Sequence, residues 1–366
     1  MTTLRDLSTP CLVLKRDVLE RNCVRMRERA ATLGVALRPH LKTAKSIEVA
    51  RRAADGAITV STLREASYFL EHGVRDLTYA VGLEPAKIDA CAQLVARGAR
   101  LTVITDDADV ARALVERDPA LRVLIEIDVG QHRGGVDPES EALLVLADLL
   151  ARGRRLRLAG VLAHAGHSYG AVSVAKITAI AEDERARTVR AARRLRDAGH
   201  DIDTVSVGST PTAVHAAHLE GVTELRAGVY TFFDRFQHAI GSCDEDDLAL
   251  TVLTSVIGVR RGEGVVVIDA GSLALSADRS MERFGGGYGE VRDLRDAPIA
   301  EGPVLVTSVN QEHGMIAHPS WRARVGDRVR VRPNHACITA AMHASYAVVE
   351  GDDERVIAHW DRVNGW

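Results

Sequence analysis

LTVITDDADVARALVERDPALRVLIEIDV, residues 101–129, is one unit of the alternation that decides the fold. A short β-rich run stands at each end, Leu101–Thr105 and Val123–Val129, and an amphipathic helical stretch, Asp107–Glu116, lies between them. Short apolar, β-branched runs bounded by turn residues are typical of buried strands, and the spacing between them is typical of a helix packed on a sheet. A strand followed by a helix is the repeating element of parallel α/β folds.

The same alternation extends from about residue 34 to residue 240 and predicts eight strands in all. The other six are predicted at Val35–Arg38, Ala57–Thr62, Leu77–Val81, Leu158–Ala163, Thr204–Val207 and Glu224–Tyr230. The other helical stretches are Ser46–Ala54, Leu63–His72, Glu84–Arg97, Glu139–Arg152, Val172–Ala198 and Pro211–Leu219. An uninterrupted run of this length favours a closed (β/α)8 barrel, and an open doubly wound sheet is the main alternative.

After Asp234 the pattern changes to short alternating segments separated by turns, which predicts a C-terminal antiparallel β domain. Its strands are predicted at Leu250–Val259, Gly264–Asp269, Val304–Asn310, Arg328–Val331, Ala347–Glu350 and Glu354–His359. The opening strand Cys11–Leu14 is expected to pair with this β domain. We therefore predict a barrel over residues 15–240. We also predict a β domain that comprises residues 241–366 together with the N-terminal strand of residues 1–14.

The composition is that of an ordinary globular protein: 366 residues, 46% hydrophobic, 27% charged, with a net charge of −3. This balance does not favour a nucleic-acid or membrane-surface partner. No apolar run approaches the roughly 18 residues of a membrane helix, and the start lacks a signal peptide's apolar core. The five cysteines are scattered and odd in number, which argues against a disulfide framework. We therefore expect a cytoplasmic protein.

Barrel enzymes carry their active sites at the carboxyl ends of the strands, and Lys42 is the only lysine at such a position. The 47 basic residues include only five lysines, and the other four, Lys15, Lys45, Lys87 and Lys176, do not fall at strand ends. A lysine held rigidly at a strand end can form a Schiff base with a carbonyl compound. Taken alone, such a lysine is more often a plain surface charge.

A candidate phosphate site lies across the predicted barrel mouth. Gly208-Ser209-Thr210-Pro211 follows the seventh strand, and Gly228 follows the eighth. Backbone N–H groups at a helix start, together with hydroxyl donors, can hold a phosphate, although the same residues also suit a plain helix cap. Phosphate is the better interpretation at this place in a barrel. A phosphorylated aldehyde cofactor would account for this segment and for Lys42 together.

The segment Pro333-Asn334-His335-Ala336-Cys337 is a candidate metal site in the β domain. On a strand, residues two apart face the same side, so the imidazole of His335 and the thiolate of Cys337 could bind one ion. This pair of donors favours zinc, with Mn²⁺ or Mg²⁺ as alternatives, and two protein ligands leave positions open for catalysis. A buried thiol beside a histidine, with no metal, is the plainer interpretation of the spacing.

With these residues in view, the chain resembles the D-serine dehydratase and D-threonine aldolase family, within the alanine-racemase-like (fold-type III) pyridoxal-phosphate enzymes. The similarity covers almost the whole chain. The matching segments are Thr9-Pro10, Leu37–Thr43, Val60–Ala66, Gly208–Pro211, Gln311–Gly314, His335–His343 and Val363–Trp366. No single one of these segments is specific, but together they are.

The resemblance implies roles for individual residues. Lys42 would bind pyridoxal 5'-phosphate as its Schiff-base lysine, and His335 and Cys337 would bind the metal. Arg133 would lie near the cofactor's phenolic oxygen and Tyr169 near its ring. The phosphate would be surrounded by Gly208, Ser209, Thr210, Gly228, Val229 and Tyr230. The β domain would line the site with Gln311, Glu312 and His313, of which His313 joins Lys42 as a predicted catalytic residue.

The resemblance also implies the reaction. Dehydratases of this family use His-x-Cys at the metal site and the aldolases use His-x-Asp, so this chain is expected to eliminate water from a D-3-hydroxy amino acid such as D-serine. The products would be a 2-oxo acid and ammonia. The alternatives are retro-aldol cleavage to glycine and an aldehyde, a racemase, and a non-catalytic cofactor carrier. Ala44 stands where relatives usually have histidine, which leaves the substrate side chain open. A homodimer is expected by analogy.

Overall fold

The computed structural model describes residues 1–318 and 321–366. Their strands are β1 (Cys11–Lys15), β2 (Ala36–Leu37), β3 (Ala57–Val60), β4 (Asp76–Gly82), β5 (Arg100–Thr105), β6 (Arg122–Ile127), β7 (Arg157–Ala163), β8 (Thr204–Val207), β9 (Glu224–Leu225), β10 (Leu250–Arg260), β11 (Val265–Ile268), β12 (Glu290–Arg292), β13 (Ser308–Val309), β14 (Gly314–Ala317), β15 (Arg328–Arg332), β16 (Ser345–Val349) and β17 (Ala358–Asp361). Their α-helices are α1 (Arg16–Thr32), α2 (Ile47–Ala53), α3 (Leu63–Glu71), α4 (Ile88–Ala96), α5 (Ala108–Arg117), α6 (Glu141–Leu150), α7 (Val174–Asp197), α8 (Thr210–His215), α9 (Arg235–Ala239), α10 (Ser272–Leu275) and α11 (Ala336–Ala340).

The chain forms two compact units. The barrel unit comprises Val24–Lys42, Ala50–Gly228 and Gly365–Trp366, and it contains β2 to β9. The β unit comprises Met1–Cys23, Thr43–Val49 and Val229–Asn364, and it contains β1 and β10 to β17. Each unit is described by itself below.

The barrel unit is built on one parallel sheet with the order β2-β9-β8-β7-β6-β5-β4-β3. A parallel bridge between His40 and Thr59 joins the two ends of this order, so the sheet closes on itself. Strands such as β5 and β7 are buried at every position after the first, as expected for a parallel sheet covered by helices. The predicted (β/α)8 barrel is confirmed, and the open sheet is excluded.

The predicted strand Glu224–Tyr230 is wrong beyond Leu225. β9 pairs with β8 and β2 through two residues only, and Val229–Thr231 forms a 3-10 turn instead. Between them Gly228 passes close to the main chain of His40, where a Cβ would lie 2.7 Å from the carbonyl oxygen. The chain therefore leaves the sheet after Leu225, although buried apolar residues continue to Tyr230.

The longest helix, α7, lies on the outside of β7 and β8 and buries one face. That face is apolar except for a few residues, among them Glu184, which is 2% exposed. Charged residues cover the rest of the helix. Across residues 1–318 and 321–366, no helix has both the length and the apolar character needed to cross a membrane.

The β unit contains a nine-stranded sheet with the central order β13-β14-β11-β10-β1-β16-β17, and β15 joins β10 to β12. β1 pairs antiparallel with β10 and parallel with β16, which confirms that the N-terminal strand belongs to this sheet. The other pairs are antiparallel. The predicted antiparallel domain is therefore confirmed, except that β1 and β16 pair in parallel. The prediction did not include the short strands β12 and β14.

Candidate active site

Lys42 lies in the turn of residues 41–44, which begins just after the bridge residue His40, at the carboxyl end of the barrel strands. Main-chain hydrogen bonds hold this turn on both sides: the N–H of His40 donates to the carbonyl of Ala227 at 2.7 Å, and the N–H of Leu41 donates to the carbonyl of Thr59 at 2.8 Å. The Lys42 side chain is exposed. Its amine is therefore accessible at the end of the barrel where enzymes of this architecture act.

Two histidines share this end of the barrel with Lys42. Burial, followed by the charge of Lys42, lowers the pKa of His40 well below its usual value. Burial is also the main cause that lowers the pKa of His164 to about 3, and the charges of Lys42 and Arg226 act in the same direction. A neutral His164 donates from Nδ1, because this atom lies 2.9 Å from the carbonyl oxygen of Gly208. Neutral imidazoles beside fixed cations produce a field that favours a bound anion.

Arg133 and Tyr169 lie in the loops after β6 and β7. The Arg133 side chain is 59% exposed, and its Nη2 lies 3.6 Å from Oε1 of Glu126. Burial raises the pKa of Glu126, and the nearby carboxylate of Asp106 raises it further. Tyr169 is half-buried in the 3-10 turn that follows β7. Both side chains thus lie at the same end of the barrel unit as Lys42.

The segment Gly208–Thr210 follows β8 and is buried. Gly208 has a φ of +129°, and a Cβ at this position would collide with the carbonyl oxygen of Arg226, so the turn requires glycine. Ser209 caps α8, and its hydroxyl lies 3.0 Å from the hydroxyls of both Ser168 and Thr212. The predicted helix start is therefore present, but α8 ends at His215 instead of Leu219.

Two main-chain amides of the predicted phosphate site are engaged within the protein. The N–H of Gly208 donates to Oε1 of Glu184 at 3.0 Å, and the N–H of Ser209 donates to Oγ1 of Thr212 at 2.9 Å. The same Glu184 oxygen accepts the N–H of Ala165 at 2.8 Å, so one buried carboxylate joins the loops after β7 and β8. Sequence reasoning missed Glu184 because it lies in the middle of a long helix.

The remaining predicted phosphate residues are divided between the units. Gly228 ends the barrel unit, whereas Val229 and Tyr230 begin the long segment of the β unit. Both of these are buried in their 3-10 turn, Val229 at 7% exposed and Tyr230 fully. The structure thus places Gly208–Thr210 and Gly228 together on neighbouring strand ends of one unit.

The β unit brings the side chains of His335 and Cys337 together, but not on a strand, the geometry from which their common side was inferred. His335 caps α11 with an extended backbone, and Cys337 is the second residue of that helix. The carboxylate of Asp234 accepts the N–H of Ala336 at 2.9 Å and so fixes the helix start. The side chains of His335 and Cys337 interact, because Cys337 is among the groups that raise the pKa of the imidazole. In the described residues, 1–318 and 321–366, no group of three or more His, Cys, Asp and Glu side chains forms a metal cluster.

Asp278 is a neighbour of His335 that sequence reasoning missed. Its Oδ2 lies 3.4 Å from Nδ1 of His335, and its Oδ1 accepts the N–H of Ser280 at 2.9 Å. Burial works to lower the pKa of His335, but hydrogen bonds with Asp278 and Cys337 raise it to about 11. The pKa of Asp278 is lowered to about 2, chiefly by its hydrogen bond with His335. The carboxylate therefore orients the imidazole through Nδ1.

The turn that carries Gln311, Glu312 and His313 is exposed and precedes β14. It lies against Gly271, where a Cβ would come within 2.5 Å of the main-chain N of His313. Ala44 is buried in the same unit, and its carbonyl accepts the hydroxyl of Tyr346 at 2.7 Å.

Comparison with known proteins agrees with this architecture. An eight-stranded barrel with a separate, mostly antiparallel sheet defines the alanine-racemase-like class, and the family described as Alanine racemase, N-terminal domain, matches residues 14–235. The D-ser_dehydrat family, a serine dehydratase domain, matches residues 249–349. The chain belongs to the D-serine dehydratase and D-threonine aldolase family, and it is a lyase.

Three relatives support this assignment. The D-threo-3-hydroxyaspartate dehydratase of Delftia sp. (strain HT23) is 42% identical over 100% of this chain and 99% of that protein. The D-threonine aldolase of Arthrobacter sp is 32% identical over 94% of this chain and 90% of its own length. A solved mutant of D-threo-3-hydroxyaspartate dehydratase, in the metal-free form, has a TM-score of 0.95 and 42% identity, with 100% of both chains covered. These relatives confirm the expected family, and they support a dehydratase with an aldolase as the alternative.

Proposed function

We propose that the protein eliminates water from a D-3-hydroxy amino acid and yields a 2-oxo acid and ammonia, using pyridoxal 5'-phosphate and a divalent metal ion. One observation supports this most: the imidazole of His335 and the thiol of Cys337 meet at the start of α11, in a chain 42% identical to a dehydratase. The relative's name makes D-threo-3-hydroxyaspartate the first substrate to test, together with D-serine.

The barrel unit would hold the cofactor. Lys42 supplies the amine that binds the cofactor's aldehyde, and the cationic surroundings of His40 and His164 suit its phosphate and phenolate charges. When bound, pyridoxal 5'-phosphate withdraws electrons from the substrate's α-carbon. The freed Nζ of Lys42 then accepts the α-proton. Arg133 and Tyr169 would contact the ring, and the phosphate would be surrounded by Gly208, Ser209, Thr210, Gly228, Val229 and Tyr230.

His335 and Cys337 would hold the metal, and an imidazole with a thiolate favours zinc. When bound, a divalent ion polarises the β-hydroxyl and makes it a better leaving group. The α-proton and the β-hydroxyl together leave as water. The dehydrated product then takes up water and divides into the 2-oxo acid and ammonia. His313 would act from its exposed turn, as a second catalytic group of the β unit.

Retro-aldol cleavage is the second candidate, because a D-threonine aldolase is 32% identical to the chain. Product analysis separates the two reactions. Purified holoenzyme is incubated with D-threo-3-hydroxyaspartate, D-serine and D-threonine, with and without a chelator. Ammonia in equal amount to the 2-oxo acid, lost on chelation, supports elimination. Glycine with an aldehyde contradicts it and supports the aldolase, whereas bound cofactor with no turnover supports a carrier.

We further propose a cytoplasmic homodimer that uses zinc. The five cysteines are all unbridged in the part of the chain that the structure describes, which suits a reducing compartment. The dimer is proposed from resemblance alone, and light scattering of the purified holoenzyme tests it. Elemental analysis of protein prepared without added metal tests zinc against manganese and magnesium.

A further inference from the structure

Thr43 places a hydroxyl beside the sulfur of Cys337 within the β unit. Its Oγ1 lies 3.0 Å from Sγ of Cys337, and the threonine is fully buried. In a free thiol either atom can be the donor. A metal-bound cysteine is a thiolate without a proton, so the hydroxyl of Thr43 must then donate.

We propose that Thr43 is a positioning residue of the metal centre, and that its hydroxyl donates a hydrogen bond to the thiolate of Cys337. This inference rests on the proposed function, which assigns Cys337 as a ligand. A hydrogen bond to a metal-bound sulfur withdraws electron density from it and fixes the direction of its lone pairs. Groups that contact ligands in this way tune metal affinity in many proteins.

Arg362 holds both partners of this contact in place. Its guanidinium donates to the carbonyl of Thr43 at 3.3 Å and to the carbonyl of Ala44 at 3.2 Å. It also donates to the carbonyl of Ala340, the last residue of the helix that carries Cys337. One buried side chain therefore sets the distance between the Thr43 segment and α11.

The alternative is that Thr43 merely fills space beside a buried thiol. A space-filling role depends on the volume of the side chain, whereas the proposed role depends on the hydroxyl. Thr43→Val keeps the shape and removes the hydroxyl, Thr43→Ala removes both, and Thr43→Ser keeps the hydroxyl in a smaller side chain. The three variants separate volume from hydrogen bonding.

Cobalt(II) substituted into the metal-depleted protein is the probe, because its thiolate charge-transfer absorbance reports the electron density on sulfur. We expect this band to move to longer wavelength in Thr43→Val and Thr43→Ala and to stay in place in Thr43→Ser. We also expect the dissociation constant for cobalt to rise about 10-fold in the two variants without a hydroxyl. The visible absorbance of lysine-bound cofactor and the far-ultraviolet circular dichroism are recorded for every variant.

The outcomes are distinguishable. If the unmodified protein shows no thiolate band, Cys337 is not a ligand, and the metal site of the proposed function falls with the inference. If the unmodified protein shows the band, and Thr43→Val and Thr43→Ala leave its position unchanged, only the role of Thr43 is overturned. A shift in Thr43→Ser as large as that in Thr43→Ala assigns the effect to volume and also overturns it. If Thr43→Val fails to fold, the comparison of Thr43→Ala with Thr43→Ser decides.

Discussion

Oδ2 of Asp278 lies 3.4 Å from Nδ1 of His335, on the ring edge opposite the nitrogen that would bind a metal. A carboxylate in this position fixes the tautomer and orientation of a ligating imidazole. The segment after α10 holds Asp278 in turn, because its second oxygen accepts the N–H of Ser280. The carboxylate would thus act on the proposed metal site through His335.

Replacing Asp278 with asparagine should therefore weaken metal binding. We expect the zinc dissociation constant to rise about 10-fold to 100-fold, measured by competition with a chromophoric chelator. Asp293→Asn is the matched control, because Asp293 also caps a turn of the β unit, accepting the N–H groups of Arg295 and Ala297. Equal affinity in Asp278→Asn and Asp293→Asn would contradict the orienting role.

Lys42→Ala should abolish covalent attachment of the cofactor. The exposed amine of Lys42 is the group at the barrel end that can form a Schiff base. We expect the visible absorbance of reconstituted enzyme, and the label left after borohydride reduction, to disappear. Lys87→Ala is the control, since Lys87 pairs with Glu84 in a 3-10 turn of the same unit. Retained absorbance in Lys42→Ala would make the lysine assignment wrong.

Glu184 should support binding of the cofactor's phosphate group much more than binding of its ring. One of its oxygens accepts the N–H groups of Ala165 and Gly208, and burial raises its pKa. Glu184→Leu leaves two buried donors without an acceptor, at a cost of about 2 kcal/mol in unfolding free energy. We expect it to weaken binding of pyridoxal 5'-phosphate more than binding of pyridoxal. Glu184→Gln retains an acceptor oxygen and is the control.

An equal loss of affinity for pyridoxal and for pyridoxal 5'-phosphate in Glu184→Leu would argue against this role. Such a result would mean that the joined loops support the barrel in general. Fluorescence titration of the metal-free apoprotein with each compound gives both dissociation constants.

Arg362→Met should reproduce the metal phenotype of the Thr43 variants. The guanidinium contacts the carbonyls of Thr43, Ala44 and Ala340, so its loss frees the segment that faces Cys337. Arg328→Met is the control, because Arg328 also donates to two main-chain carbonyls of the β unit, those of Leu4 and Leu7. Both variants lose stability. A cobalt affinity that falls equally in both would contradict a specific role of Arg362.

The barrel was predictable because most of its strands are buried runs between turn residues. Thr204–Val207 has the predicted bounds, and most other barrel strands differ from theirs by one or two residues. The exception, Glu224–Tyr230, fails because hydrophobicity alone does not report where pairing ends. Val229 and Tyr230 are buried in a 3-10 turn, and burial there gives the same apolar signal as a strand.

The metal site was predicted from a local structure that is wrong. Three residues carry too little periodicity to distinguish an extended strand from the start of a helix. The helix start is fixed by the carboxylate of Asp234, which accepts the N–H of Ala336 and lies 102 positions earlier in the chain. Asp278 and Thr43 likewise reach the site only through the fold, from 57 and 294 positions away. Contacts of this kind have no signature in the local sequence.

Asp296 is the centre of a buried ionic cluster in the β unit. Its side chain is 1% exposed, with Oδ2 at 3.0 Å from Nζ of Lys15 and Oδ1 at 2.9 Å from Nε of Arg332. Burial works to raise the pKa of this carboxyl, but the charges of Arg330, Arg332 and Lys15 together lower it from 3.8 to about 2. The folded protein thus binds this proton more weakly than the unfolded chain. The resulting stabilisation, about 2 kcal/mol, is complete above pH 4 and lost as the pH falls through 2.

Asp296→Asn should therefore lower the unfolding free energy at neutral pH by about 3 kcal/mol or more, because it leaves buried cations unpaired. The unfolding free energy measured in urea should also fall more steeply between pH 4 and pH 2 for the unmodified protein than for Asp296→Asn. Asp352→Asn is the matched control: Asp352 also lies 3.0 Å from Nζ of Lys15, but its side chain is 72% exposed. Water screens that pair, so Asp352→Asn should lower the unfolding free energy by less than about 1 kcal/mol. Equal losses in the two variants would mean that burial adds nothing to the pairing with Lys15.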